Sequence, residues 1–293
     1  MKKKRAIIFG SNGQDGYYLN QLLNKEGVEV VNISRKNSEI TGTVSDYNFV
    51  QTVIKENPVD YIFHFAAQSS TRHDFLFENH ETISTGTINI LESVRLFSSA
   101  TRVFISGSAM QFRNDGVPID ETTPFEASSP YAIARIHSAY AARYYAKKFG
   151  LKIFIGYFFN HDSPLRTEHH VNQKIIRAVQ RIASGSKEKL VLGNINVQKE
   201  FNYAEDIVAA VWKLINQDII SEAVIGSGKA YTIKEWLAYC FSLKGLQWQD
   251  HMELQDNYTP EYSILVSNPK LIKKLGWEPK TDFYQLANLM MNE

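Results

Sequence analysis

Ala6-Ile7-Ile8-Phe9-Gly10-Ser11-Asn12-Gly13-Gln14-Asp15-Gly16 is the stretch from which the rest of the chain can be placed. A short apolar run enters three glycines spaced G-x-x-G-x-x-G. An amphipathic pattern follows, with Leu19, Leu22 and Leu23 on one side. Strand, glycine-rich turn and helix in that order aim backbone N–H groups at a helix N-terminus, where a phosphate is held. The spacing is looser than the G-x-G-x-x-G dinucleotide fingerprint. Its position between a strand and a helix still points to a dinucleotide. Gly10, Asn12, Gly13, Gln14, Asp15 and Gly16 are the cofactor-binding residues expected of this turn.

A second strand is expected over 28–33, followed by Ser34-Arg35-Lys36. NAD sites place an acid about here, on the ribose 2′-hydroxyl. This chain offers two cations, and Arg35 can hold a 2′-phosphate by paired hydrogen bonds. NADP is therefore the expected cofactor, with Arg35 and Lys36 as its anchors. A solvated loop is the plain alternative. A crossover helix and its exit are read at 53–58. The apolar run 60–65 suits a strand buried in a parallel sheet. It ends in Ala66-Ala67-Gln68-Ser69-Ser70, small residues at the strand's carboxyl end, where ligands bind.

Helical spacing over 87–96 precedes a strand at 102–105, which ends in Ser106-Gly107-Ser108-Ala109-Met110. A serine there can meet a substrate oxygen or cap a turn. A long helix, 131–149, stops at Gly150. A strand over 152–159 then leads into Asn160-His161-Asp162-Ser163-Pro164. Alternating strands and helices indicate an α/β fold with a parallel, doubly wound sheet.

The pattern changes after Asn160. A helix runs through Val171, Ile175, Ile176, Val179 and Ile182, and a short strand covers 190–192. A helix begins at Glu205-Asp206, and 223–226 returns to the sheet. Small helices are read at 232–241 and 268–275. The organisation expected is a cofactor domain of residues 1–159 with about 195–227. A smaller substrate lobe of 160–194 and 228–293 would close a cleft over it.

The formal charge is +1 and 44% of residues are hydrophobic. Near-neutral charge argues against a nucleic-acid or membrane-surface partner. Lys2, Lys3, Lys4 and Arg5 before an apolar run suggest a signal peptide, but the run is too short and breaks at Gly10. No run is long enough to span a membrane. Cys240 is the only cysteine, so no disulfide forms within the chain, which suits the cytoplasm and excludes a cysteine-based metal site. Glu168-His169-His170 with His161 hints at a metal. A helix starting near His170 would turn His169 and His170 apart, so no metal is expected.

Ser129-Pro130-Tyr131-Ala132-Ile133-Ala134-Arg135 carries the chemistry. Tyr131 and Arg135 share one helix face at i,i+4, with Pro130 where a missing N–H costs least. A fixed positive charge favours phenolate, which suits a tyrosine to proton transfer at a hydroxyl. Such pairs are also common on solvated helices.

Taken together, the chain resembles the extended short-chain dehydrogenase/reductases that act on nucleotide sugars, most closely the GDP-mannose 4,6-dehydratase branch. The resemblance rests on the Gln14-Asp15-Gly16 ending of the glycine turn, Ala67-Gln68-Ser69, Glu121-Thr122-Thr123-Pro124-Phe125 and Ser129-Pro130-Tyr131. It continues in Phe159-Asn160-His161-Asp162-Ser163-Pro164, Leu192-Gly193-Asn194 and Leu275-Gly276-Trp277-Glu278-Pro279, in order over nearly the full length.

It implies a Rossmann fold with NADP at the glycine turn, Arg35, Lys36, Ala66, Ala67, Tyr131 and Arg135. It implies Tyr131, Ser108 and Arg135 as the catalytic set. A nucleotide-diphosphate sugar would lie along Gln68, Ser69, Ser108, Met110, Asn160, Lys174, Lys199 and Tyr258. Helices 87–96 and 131–149 often form a dimer interface in the superfamily, so a homodimer or homotetramer is implied.

The departures from the family are specific. Arg135 stands where the family has lysine; it keeps the charge but cannot lose a proton, and its fork is larger. The family's catalytic glutamate, two residues after its Ser/Thr, is Met110 here. No carboxylate occurs anywhere from Phe104 to Arg113. Two phosphate-binding arginines are matched by Lys199 and Tyr258. The expectation is an NADP-dependent 4-ketoreductase of a GDP-linked 6-deoxyhexose. The alternatives are a 4,6-dehydratase that recruits another carboxylate such as Asp162, an epimerase, or a non-catalytic binding homologue.

Overall fold

The computed structural model describes residues 3–292. β1 (Arg5–Phe9) leads through the glycine turn into α1 (Gln14–Lys25), then β2 (Glu29–Ser34), a two-residue β3 (Ile40–Thr41), α2 (Tyr47–Glu56) and β4 (Tyr61–His64). The side chain of Asp46 caps α2 by accepting from the Phe49 N–H at 3.1 Å, so this helix starts well before position 53. α3 (Leu76–Asn79), a π-helical turn (His80–Thr85) and α4 (Gly86–Phe97) follow one another without a break, extending the expected helix toward its N-terminus. β5 runs over Arg102–Ser108, longer than its apolar run, and passes into a 3₁₀ turn at Ala109–Gln111. α5 (Pro130–Phe149) and β6 (Ile153–Phe158) complete the alternation.

Beyond β6 come β7 (His161–Asp162), α6 (Val171–Ala183), β8 (Leu190–Leu192), β9 (Gln198–Glu200), β10 (Asn202–Tyr203), α7 (Ala204–Ile215) and β11 (Glu222–Ile225). β12 (Ala230–Thr232), α8 (Ile233–Ser242), β13 (Met252–Leu254), β14 (Ile264–Leu265), α9 (Lys270–Lys274) and α10 (Phe283–Asn292) end the described chain. The seven-stranded sheet has the order β11-β6-β5-β4-β1-β2-β3, every neighbouring pair parallel. The chain leaves β1 toward β2 and β3, then crosses back to β4, β5, β6 and β11. The strand order therefore reverses beside β1, at the sheet edge where open α/β folds bind ligands.

Two clusters of buried apolar side chains cover the sheet's faces. One includes Ile7, Phe9, Ile62, Ile105 and Ile155; the other includes Ile8, Phe63, Phe104, Val208 and Ile225. Alternate residues of each strand face opposite sides, so a sheet buried on both faces needs the uninterrupted apolar runs seen here. A third cluster, built on Phe201, Trp236, Phe283, Ile175 and Leu286, belongs mostly to the C-terminal part of the chain. Its small strand pairs, β8 with β13 and β9 with β12 and β14, were not legible as strands in the sequence apart from 190–192. Among the described residues no helix is long and apolar enough to cross a membrane.

Candidate active site

The glycine turn sits at the point where the strand order reverses. Gly10 has φ +90°, and a Cβ there would meet the Ala66 backbone nitrogen at 2.5 Å; a Cβ on Gly16 would collide with the Gly10 carbonyl. Only glycines let the backbone close this tightly. Beside the turn lie two hollows. The smaller, about 270 Å³, is bordered by Gly10, Asn12, Gly13, Ile33, Arg35 and Ala66. The larger is a cleft of about 820 Å³ that reaches from Gly13, Gln14 and Asp15 past Ser108 and Tyr131 to Asn160 and Lys199. Ala67 borders both.

Ser129 starts α5 by accepting from the Ala132 N–H at 3.1 Å, with Pro130 as first helical residue. This fixes Tyr131 on the cleft wall, its ring packed with Ile83, Ala134, Ala67 and Met110. Ile83 comes from the π-helical turn, whose carbonyl accepts from Ser138 Oγ at 3.0 Å. The Arg135 guanidinium carbon lies 5.1 Å from the Tyr131 ring centroid. Its Nη1 donates to Ser106, to the carbonyl and to Oγ, the latter at 2.9 Å. Arg135 is thus anchored to β5 while its Nε is sealed without a partner. Alongside it, His64 is wholly buried; burial, then the Arg135 charge, takes its pKa down to about 3, so it stays neutral.

Ser108 does cap a turn: its Oγ accepts from the Met110 N–H at 3.2 Å, while Gln111 Oε1 accepts from the Ser108 N–H at 2.9 Å. Capping uses an acceptor lone pair and leaves the hydroxyl proton free to donate into the cleft that Ser108 borders. Gln68, Ser69, Met110, Asn160 and Lys199 border the same cleft.

Asn12, at the smaller hollow, spends its Nδ2 on the Lys36 carbonyl at 2.5 Å, holding the loop after β2. Other expected residues stand elsewhere. The exposed Lys36 borders neither hollow. Lys174 Nζ donates to the Val191 carbonyl at 2.7 Å, away from the cleft. Tyr258 is half exposed and lays its ring on Gly193, also outside it.

The sequence reading missed how the glycine turn is tied down. His161 Nε2 meets Asp15 Oδ1 at 2.9 Å, and its Nδ1 meets the Phe159 carbonyl at 2.8 Å. Both ring nitrogens face acceptors, an arrangement that favours the doubly protonated imidazolium. Burial opposes charge on each partner, yet the pairing raises the His161 pKa and carries that of Asp15 down to about 2. Ser163 Oγ donates to Gln14 Oε1 at 2.7 Å.

Arg166 was missed as well. It donates to the His161 carbonyl at 3.1 Å and lies 3.4 Å from Asp162. Asp162 accepts from Asn172 Nδ2 at 2.6 Å; burial disfavours its charge, but Lys199 and Arg166 hold its pKa down. His169 is exposed and His170 half-buried, and both border the cleft. Burial and then Arg166 lower His170 to about 4. Among the described residues no His, Cys, Asp and Glu group could hold a metal ion. Tyr262, on the loop after β13, borders the cleft too.

A nicotinamide dinucleotide fits these features. The glycine turn borders both hollows at the sheet edge, a dinucleotide-sized cleft runs from it past Tyr131, and Arg135 Nε is an unspent donor. A doubly wound sheet with its glycine turn at the reversal point, and a Tyr-x-x-x-Arg helix beside the same cleft, define an extended short-chain dehydrogenase/reductase. Comparison with known proteins narrows the class. The chain belongs to the GDP-mannose 4,6 dehydratase family, whose model matches residues 7–290.

GDP-mannose 4,6 dehydratase 1 of Arabidopsis thaliana is 31% identical over 323 residues, spanning 99% of this chain and 90% of that protein. GDP-mannose 4,6-dehydratase of Yersinia enterocolitica is 30% identical over 271 residues, covering 83% and 73%. Two solved structures share the fold at low identity. dTDP-glucose 4,6-dehydratase of Bacillus anthracis, in complex with NAD, has a TM-score of 0.87 at 18% identity, covering 99% of this chain and 96% of that one. RMD of Pseudomonas aeruginosa, complexed with NADPH, has 0.88 at 16%, covering 99% and 98%.

Proposed function

We propose that the protein is an NADP-dependent oxidoreductase of nucleotide-diphosphate sugars, a 4-ketoreductase of a GDP-linked 6-deoxyhexose. The observation that carries this reading is the wall around Tyr131. A phenol and a serine hydroxyl border one cleft, and Met110 packs beside the phenol where an eliminating enzyme needs a carboxylate. Elimination must take a proton from carbon, and the carboxylates bordering the cleft are committed. Asp15 pairs with His161, Asp162 with Asn172 and Arg166, and Glu261 accepts from Thr71. Keto reduction needs no such base.

When bound, the nicotinamide supplies the hydride. The chain's own residues do the rest. The glycine turn holds the pyrophosphate, and Arg35 takes the 2′-phosphate. Ser108 donates to the sugar's C4 oxygen, and Tyr131 gives that oxygen its proton. Arg135 holds Tyr131 against β5 and keeps positive charge at its ring. Lys199 and Arg166 face the diphosphate. The working unit we propose is a homodimer or homotetramer joined through α4 and α5.

A 4,6-dehydratase is the second reading, favoured by the match to that family over nearly the whole chain. Incubation with GDP-mannose, and separately with its 4-keto-6-deoxy product plus NADPH, divides the two. The reductase consumes NADPH with the keto sugar, and the product gains two hydrogens. Loss of water from GDP-mannose without NADPH consumption would establish the dehydratase instead. Tyr131→Phe is expected to lower kcat for keto reduction by about a hundredfold or more, with NADPH affinity kept. Unchanged turnover would remove Tyr131 from the mechanism.

A further inference from the structure

We propose that Tyr262 is a further substrate-binding residue of the cleft, its phenolic O–H donating to a diphosphate oxygen of the nucleotide sugar beside Lys199 and Arg166. The assignment rests on the nucleotide-sugar reading above. The loop between β13 and β14 carries two tyrosines, of which only Tyr262 borders the cleft. Tyr258 lies outside, so close over Gly193 that a Cβ on that glycine would meet its ring at 2.5 Å. Tyr262 turns inward. Its ring packs against the core cluster that contains Phe159 and Leu265, and the residue borders the cleft.

The hydroxyl faces the side chain of Asn160 and lies within the field of Asp162. Asp162 is in turn the carboxylate that Lys199 and Arg166 surround. Asn160 Oδ1 itself is sealed without a partner. Tyr262 therefore stands by Asn160 and Asp162, on a cleft wall that Lys199 and Arg166 also border.

The chemistry of a phenol suits this place. Burial, followed by the neighbouring Glu261 charge, pushes the Tyr262 pKa up to about 12, so the group keeps its proton at neutral pH and remains a donor. The cations near it are partly spent. Arg166 already donates to the His161 carbonyl and lies against Asp162, and burial lowers the Lys199 pKa despite the pull of Asp162. A diphosphate offers more acceptor oxygens than these two can meet. A neutral hydroxyl adds a directional hydrogen bond to an anion, the strong kind, without adding another buried charge. The guanidinium absent at Tyr258 is thus replaced from four residues further along the same loop.

Calorimetric titration of the full chain with GDP, and separately with GDP-mannose, tests this in the wild type, Tyr262→Phe and Tyr258→Phe. Tyr262→Phe keeps the packed ring and loses only the hydroxyl. It should weaken both probes by roughly tenfold, as expected for one hydrogen bond to a charged group. NADPH affinity and thermal midpoint should stay unchanged, and Tyr258→Phe should bind like wild type. Equal affinity of wild type and Tyr262→Phe for GDP overturns the assignment, even if GDP-mannose alone binds more weakly, since the donor would then face the sugar. A wild-type chain that binds neither probe overturns the nucleotide-sugar reading and this assignment with it.

Discussion

Arg35 and Arg135 show how one residue type plays two parts in one site. Arg35 is exposed at the rim of the smaller hollow, and a guanidinium there can grip a phosphate with two parallel hydrogen bonds. Arg135 is buried, spends one nitrogen on Ser106 and stacks on Tyr131. In the proposed reaction it would act through its fixed charge and its anchoring, since a guanidinium does not lose its proton. The Arg35 role makes a direct prediction. Arg35→Ser should weaken NADPH binding by about tenfold to a hundredfold and change NADH binding by less than about twofold. Fluorescence titration with both cofactors measures this. Equal losses for the two would assign Arg35 to something other than the 2′-phosphate.

At the scale of elements, the start of α1 is held by the chain that follows β6. The Asp15–His161 ion pair and the Ser163–Gln14 hydrogen bond join the glycine turn to β7 and the residue after it. The cofactor turn is therefore tied directly to the far wall of the cleft. His161 has a raised pKa in the folded chain, so its contribution is whole below the ordinary value of 6.5 and is lost as pH rises through the raised one. Asp15 is depressed from 3.8 to about 2, so its part is whole above 3.8 and is lost as pH falls toward 2. The pair is fully formed between those two ordinary values. Asp15→Asn leaves a buried imidazolium uncompensated and should cost roughly 3 kcal/mol near pH 5.5. The deficit against wild type should shrink as the pH passes the raised His161 value. Thermal melts across pH 5 to 10 check this, and a deficit that ignores pH would mean the pair is not ionic.

For the whole molecule, the long helix α5 presents Ile133, Tyr140 and Tyr144 to solvent on the side away from the sheet. Phe77 of α3 is exposed as well. Apolar side chains repeated along one helix face suit self-association, and, for the proposed dimer or tetramer, Tyr140→Glu should lower the mass measured by light scattering. An unchanged mass would move the interface elsewhere. The sequence by itself determined the doubly wound parallel sheet, because a buried strand needs an uninterrupted apolar run and a tight turn needs glycine, and both are local patterns. It also put Tyr131 and Arg135 on one helix face by their i,i+4 spacing, whereas the parts expected of Ser108 and Met110 came from the family resemblance. Only the tertiary structure decided that Asp15 meets His161, that Arg166 joins Lys199 around Asp162, and that Tyr262 rather than Tyr258 enters the cleft. It also placed Lys174 outside the cleft, on the Val191 carbonyl. Those contacts join residues far apart in the chain, or depend on which way an irregular loop turns its side chains. No periodicity records either, because both follow from how the sheet edge and the C-terminal part pack together.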